Sequence, residues 1–137
     1  MVIAFHIGGE ESEYVRVTIL RDNGDDWLSA QVEVVVGGFR GSYLADFNSW
    51  SFSDFLVQLE KLYQTIAGSA SFTSYEGQLE LVLACDVHGH IKLQGEAIDF
   101  VGTGNKLIFQ LGLDQTYIPA ITNSLRSAIK QYPVRVV

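Results

Sequence analysis

The chain has 137 residues and a mass of 15.2 kDa, the size of a single domain, and 47% of its residues are apolar, enough to fill one core. A mean hydropathy of +0.17 excludes disorder, the lone Cys85 excludes a disulfide scaffold, and no apolar run reaches the about 18 residues of a membrane span. The net charge of −7 lies entirely in residues 1–60, where Arg16, Arg21 and Arg40 face ten acids, while residues 61–137 balance six bases against six acids. Such a chain repels phosphate, so nucleic acid is not an expected partner, whereas a basic macromolecule is steered toward it.

The opening Met1–Ile7 is apolar but lacks a basic lead and stops at Gly8-Gly9-Glu10-Glu11. It is too short for a signal peptide, and the expected location is the cytoplasm. Period-two alternation then marks strands with one buried face. Val15, Val17 and Ile19 share a face; so do Leu28, Ala30, Val32, Val34 and Val36; so do Phe39, Tyr43, Ala45 and Phe47. Asn23-Gly24 has the composition of a two-residue hairpin turn, which sets Ile19 opposite Leu28 and Val17 opposite Ala30. Gly37-Gly38 is a second such turn, setting Val36 opposite Phe39 and Val32 opposite Tyr43.

Phe52, Phe55, Leu56, Leu59, Leu62, Tyr63 and Ile66 recur at helical spacing, with Ser51 as the expected N-cap and Gly68 as the stop. The plan then repeats. Leu79, Leu81, Leu83 and Cys85 alternate, followed by Ile91, Leu93 and Ala97, and then by Leu107, Phe109, Leu111 and Leu113. The loop Val87-His88-Gly89 sets Cys85 opposite Ile91. A last helix begins after Thr116, since Pro119 fits only a first turn, and buries Ile118, Ile121, Leu125 and Ile129. The expected fold is one α+β domain over residues 1–137. Its antiparallel meander sheet has about six or seven strands in two strand-strand-strand-helix halves, with both helices on one face.

Candidate chemistry is sparse. Cys85, His88 and His90 are zinc-ligating types close in sequence, but Cys85 faces inward and His90 outward beside Asp86, so no metal site is expected. An inward cysteine among leucines is a small, inert core residue, and no catalytic nucleophile is expected. Gly102-Thr103-Gly104-Asn105-Lys106 is glycine-rich but leads into a strand, where a phosphate loop would open a helix. No cofactor is expected.

The β-turn acids are the most informative feature. Turning at Asn23-Gly24 places Asp22 opposite Asp25 and Asp26 opposite Arg21, so like charges oppose each other, a cost that a calcium ion or a basic partner offsets; the spacing matches no calcium-binding helix-loop-helix, which leaves the metal the minor option. Leu20 then falls opposite Trp27 on the outer face, an aromatic anchor with an acidic rim. The expected partner contacts are Asp22, Asp25, Asp26 and Trp27, together with the Glu10, Glu11 and Glu13 cluster.

Val36-Gly37-Gly38-Phe39-Arg40-Gly41, the helix through Phe55, Leu59, Leu62 and Tyr63, Gly89-His90-Ile91, Gly104-Asn105-Lys106-Leu107 and Asp114-Gln115-Thr116-Tyr117-Ile118 occur in one order along the chain. From about Tyr14 to Ile129 this order resembles the WapI-type immunity proteins, which are encoded beside wall-associated or Rhs-type polymorphic toxins. The resemblance implies a non-enzymatic inhibitor that binds a toxin domain. Many such toxins are basic nucleases, whose charge an acidic protein complements. It carries over no toxin-contact motif. Two other readings stand beside it: a small-ligand-binding or enzymatic domain with a cavity between sheet and helices, and a homo-oligomeric structural protein pairing through an exposed strand edge.

Overall fold

The computed structural model describes residues 1–135. The chain runs through β1 (Val2–Gly8), β2 (Tyr14–Gly24), β3 (Trp27–Val36), β4 (Phe39–Asn48) and α1 (Ser49–Thr65). It continues through β5 (Gly68–Phe72), β6 (Leu79–Cys85), β7 (His90–Ile98), β8 (Lys106–Asp114), a short 3-10 turn at Gln115–Tyr117, and α2 (Ile118–Gln131). All neighbouring strands are antiparallel, and they form two sheets of order β1-β2-β3-β4 and β5-β6-β7-β8. The α+β class is as expected, but eight strands in two sheets replace the single meander of six or seven.

The two strands missing from the sequence reading are β1 and β5, and each lacks a clean period of two. In β1 a register shift between Ile3 and Phe5 lets the successive residues Ala4 and Phe5 both point inward. β5 is Gly-Ser-Ala-Ser-Phe, poor in strand-forming types, with only Ala70 and Phe72 buried. The helices do not share one sheet face either. α1 packs against β5, α2 packs against β1, and the two helices pack on each other, so each half's helix closes the other half.

That exchange places one aromatic cluster where the halves meet. Phe5 of β1 and Phe47 of β4 meet Phe52 and Phe55 of α1 and Phe72 of β5, with neighbouring ring centroids 5.3–6.4 Å apart in tilted or edge-on pairs. A buried Gln78 adds a polar tie. Its carbonyl accepts from the Tyr43 hydroxyl at 2.6 Å, and its side-chain Oε1 accepts from Asp46 N at 3.3 Å. Burial pushes the Tyr43 hydroxyl above its ordinary pKa, so it stays a donor.

Several expected registers are present. Val36 lies opposite Phe39, Val34 opposite Gly41 and Val32 opposite Tyr43. Cys85 lies opposite Ile91 and Leu83 opposite Leu93. α1 begins two residues before the expected cap: Asn48 holds the N-cap position and Ser51 is buried within the first turn. Its end comes at Ile66, whose φ of 51° already leaves the helix, with Gly68 at 84° completing the turn. Pro119 sits in the first turn of α2, where no helical N–H is missed.

Candidate protein-binding surface

The β2–β3 hairpin does not turn at Asn23-Gly24. Gly24 pairs with Trp27, and the two loop residues are Asp25 and Asp26, with φ of 53° and 61°. Aspartate is one of the few residues that tolerate this left-handed region. Two register shifts, between Ile19 and Arg21 and between Asp22 and Gly24, lengthen β2 by the residues that move the turn. The second is fixed by Asp22, whose Oδ1 accepts from Gly24 N at 2.8 Å. Ile19 therefore faces Ala30 and Val17 faces Val32, a two-residue displacement that keeps the residues up to Ile19 on their expected face, whereas beyond the first shift Arg21 pairs with Ser29 and Asp22 with the buried Leu28. Asp22 lies opposite Leu28 rather than Asp25, Asp26 is in the loop rather than opposite Arg21, and Gly24 rather than Leu20 faces Trp27.

The acids of this hairpin consequently have different surroundings. Asp26 is buried, at 6% exposure. Its carboxylate accepts from Arg135 N at 2.8 Å, and its carbonyl accepts from Ser49 N at 2.9 Å, joining the turn to the start of α1. Arg135 also reaches Asp22, Nη1 to Oδ2 at 2.8 Å. Asp25 points into solvent.

Trp27 is half-buried beneath the turn and meets Tyr75 edge-on, with ring centroids 6.1 Å apart. Tyr75 itself is 77% exposed. A hollow of about 360 Å³ beside Trp27 is lined by Asn23, Gly24, Asp25, Asp46 and Glu76. A second hollow, of about 310 Å³ between Leu20, Arg21, Ser29 and Leu44, shares Asp46 with the first. The two form one strip on the outer side of the first sheet, aromatic and aliphatic at its centre and acidic at one end. Among the described residues Glu33, Glu60 and Glu96 are ion-paired with Arg16, Arg126 and Lys106, whereas Asp25, Asp46 and Glu76 have no ion-pair partner.

The Glu10, Glu11 and Glu13 cluster is exposed in the β1–β2 connection. Glu13 is tied down, its Oε2 accepting from Gly37 N at 2.7 Å. It therefore sits at the opposite end of the first sheet from Asp25, separated by the length of β2, roughly 30 Å. The structure gathers Asp25 and Trp27, adds Tyr75, Asp46 and Glu76, and leaves the glutamates elsewhere. Asp46 and Leu44 were readable from the alternation of β4, which puts both on the face opposite Ala45. Tyr75 and Glu76 come from a loop about fifty residues from Trp27 in the chain, and no local pattern brings them there.

The remaining sequence candidates lie in turns. Cys85 is half-buried, and the His88 and His90 ring centroids are 6.3 Å apart. Asp86 accepts from His88 N at 2.8 Å and His90 N at 3.0 Å, which holds its carboxyl below the usual range. Asp99 is held low likewise by the side-chain and main-chain N–H groups of Asn105, which close the Phe100–Gly104 loop before β8. Among the described residues no group of three or more His, Cys, Asp or Glu stands close enough to hold a metal ion. Among the described residues no helix is long and apolar enough to cross a membrane.

Known proteins place this fold. A chain from the crystal structures of Trypanosoma brucei MRP1/MRP2 superposes with a TM-score of 0.51 at 10% identity, over 95% of this chain and 82% of that one, so the two share a fold. A chain of the CdiA-CT/CdiI toxin and immunity complex from Enterobacter cloacae covers 90% of this chain and 97% of its own length at 13% identity; its TM-score of 0.46 is too low to establish a shared fold. No curated protein matches the chain. The model of the WapI-like immunity protein family matches residues 6–133, nearly the whole length, and the chain belongs to that family.

Proposed function

We propose that this protein is a non-enzymatic immunity protein that binds and neutralises a polymorphic toxin domain, acting as one folded unit in the cytoplasm of the cell it protects. Family membership over residues 6–133 is the observation that carries this reading. On this reading the docking surface is Trp27 and Tyr75 as the anchor, Leu20 and Leu44 as apolar flank, and Asp25, Asp46 and Glu76 as the rim, a choice supported by their adjacency. Buried aromatics ringed by polar groups are the usual centre of binding energy in a protein interface. Unpaired acids at the rim raise the association rate of a basic partner, and a nuclease that grips a phosphate backbone is basic in this sense. Asp22 and Asp26 act on this reading indirectly, by fixing the turn that presents Asp25 and Trp27.

The test is growth. Bacteria producing the toxin domain encoded beside this protein survive when the chain is co-produced. Trp27→Ala, costing about 2 kcal/mol of binding or more, removes that protection while the purified variant keeps its circular dichroism spectrum. Survival with Trp27→Ala would remove the surface from the reading, and death with the unaltered chain would remove the function.

A further inference from the structure

An edge strand carries a row of main-chain N–H and C=O groups that must meet water or another chain. The two sheets have four edges, at β1, β4, β5 and β8, and three of them are managed. α2 packs against β1. At β5, Gln58 of α1 substitutes for a strand: its Oε1 accepts from Ser71 N at 2.9 Å and its Nε2 donates to Ser71 O at 3.4 Å. At β4, Gln78 does the same, accepting from Asp46 N at 3.3 Å and donating to Leu44 O at 3.5 Å. Among the described residues no side-chain hydrogen bond reaches the main chain of β8, which Val36, Gly37 and Phe39 of the first sheet border across a hollow of about 290 Å³. It runs nine residues in unbroken register with β7, without proline, and is uncharged from Leu107 to Leu113. Ile108 on its outer face is 72% exposed. Bulges, proline, mid-strand charge and covering elements are how proteins keep edges from pairing, and β8 has none of them.

We propose that β8 pairs with β8 of a second copy of this chain, antiparallel across a two-fold axis at Phe109. A closed dimer of identical edges requires that antiparallel sense. Centred there, Lys106 lies opposite Gly112, Leu107 opposite Leu111, and Ile108 opposite Gln110. The inward residues Leu107, Phe109 and Leu111 of both copies fall on one side and extend each other's apolar wall. Charge complementarity favours a second copy over other occupants. Acid against acid is the main obstacle to self-association of a chain of net charge −7, and β8 holds no acid before Asp114. The space beside Gly112 is open, and the hollow there is lined by Glu13 along with Lys92, Gln110 and Leu111. Lys106 of the second copy, exchanging its own Glu96 for this acid, enters it beside Glu13, and the symmetry axis repeats the contact.

Sedimentation equilibrium of the full chain at about 100 μM is expected to give about twice the 15.2 kDa of one chain, falling toward that mass on dilution. Ile108→Lys puts a charge in mid-edge and is expected to weaken the dimer roughly tenfold or more, with an unchanged circular dichroism spectrum. Lys106→Glu is expected to weaken it too, and Glu13→Lys in the same chain to restore it. A single-chain mass at that concentration would overturn the proposal, as would a dimer indifferent to Ile108→Lys. A monomer that loses toxin binding on Ile108→Lys would also overturn it, assigning the edge to the toxin. The dimer stands apart from toxin neutralisation, whose charge test lies at the other sheet.

Discussion

The two halves of the molecule follow one plan, four antiparallel strands and then a helix, but treat charge and edges differently. The first half holds all the net negative charge, engages Asp22 and Asp26 in fixing its hairpin and in holding Arg135, and leaves Asp25 and Asp46 beside Trp27 without an ion pair among the described residues. The second half is electrically balanced and ends on the bare edge of β8. Shared topology thus constrains the core, where each helix closes the opposite half, and leaves the surfaces free to diverge. On this account the acidic half meets a foreign basic protein and the balanced half meets its own copy.

The interlock between the halves is the place to break that comparison hardest. Phe72 of the second half touches Phe5, Phe47, Phe52 and Phe55, all rings of the first half. Phe72→Ala is expected to cost about 3–5 kcal/mol in urea denaturation, with fluorescence and circular dichroism losing structure together. Two separated transitions would mean that the halves fold independently. Gly95→Ala probes the second half alone. A Cβ there would run into the Phe109 ring, so the ring must move, at an expected cost of roughly 1–3 kcal/mol by the same assay.

Within the first half, two adjacent aspartates of the same turn are expected to differ. Asp26→Asn disturbs a buried acceptor of Arg135 N and is expected to cost about 1–2 kcal/mol, whereas Asp25→Asn stays within about 0.5 kcal/mol. Equal losses would contradict the division between a structural and a free acid. The smallest effect is at Glu80, which pairs with Glu96 across the second sheet. Burial, and then the charge of Glu96, raise the Glu80 pKa above 4.5. Its ionised form therefore disfavours folding above the folded-state pKa, and that penalty fades as pH falls toward 4.5. Glu80→Gln is expected to raise the melting temperature by roughly 1–2 °C at pH 7 and to lose that advantage on acidification.

Much of the framework was legible because it rests on local rules. The Gly37-Gly38 turn and the Val87-His88-Gly89 loop gave correct registers, since both flanking strands alternate cleanly. Asn23-Gly24 misled because Asp22 captures Gly24 N and converts the expected turn into an irregularity, handing the turn to two aspartates. The hydrophobic phase survived because the displacement was an even number of residues. Of the candidate surface, Asp25, Trp27 and Leu20 were legible as a group, and the alternation of β4 put Leu44 and Asp46 on an outer face. Tyr75 and Glu76 join it through tertiary packing, and Arg135 reaches Asp22 and Asp26 from the far end of the chain. Composition counts all these acids alike; the fold decides which remain free.

Titration calorimetry with the neighbouring toxin domain, comparing two charge reversals, tests the central claim most directly. Asp25→Lys, Asp46→Lys and Glu76→Lys together are expected to weaken binding roughly a hundredfold or more and to flatten its salt dependence, while Glu10→Lys with Glu11→Lys, at the other end of the sheet, changes affinity little. Equal affinity for the triple variant and the unaltered chain would contradict the assignment of the Trp27 surface to the toxin.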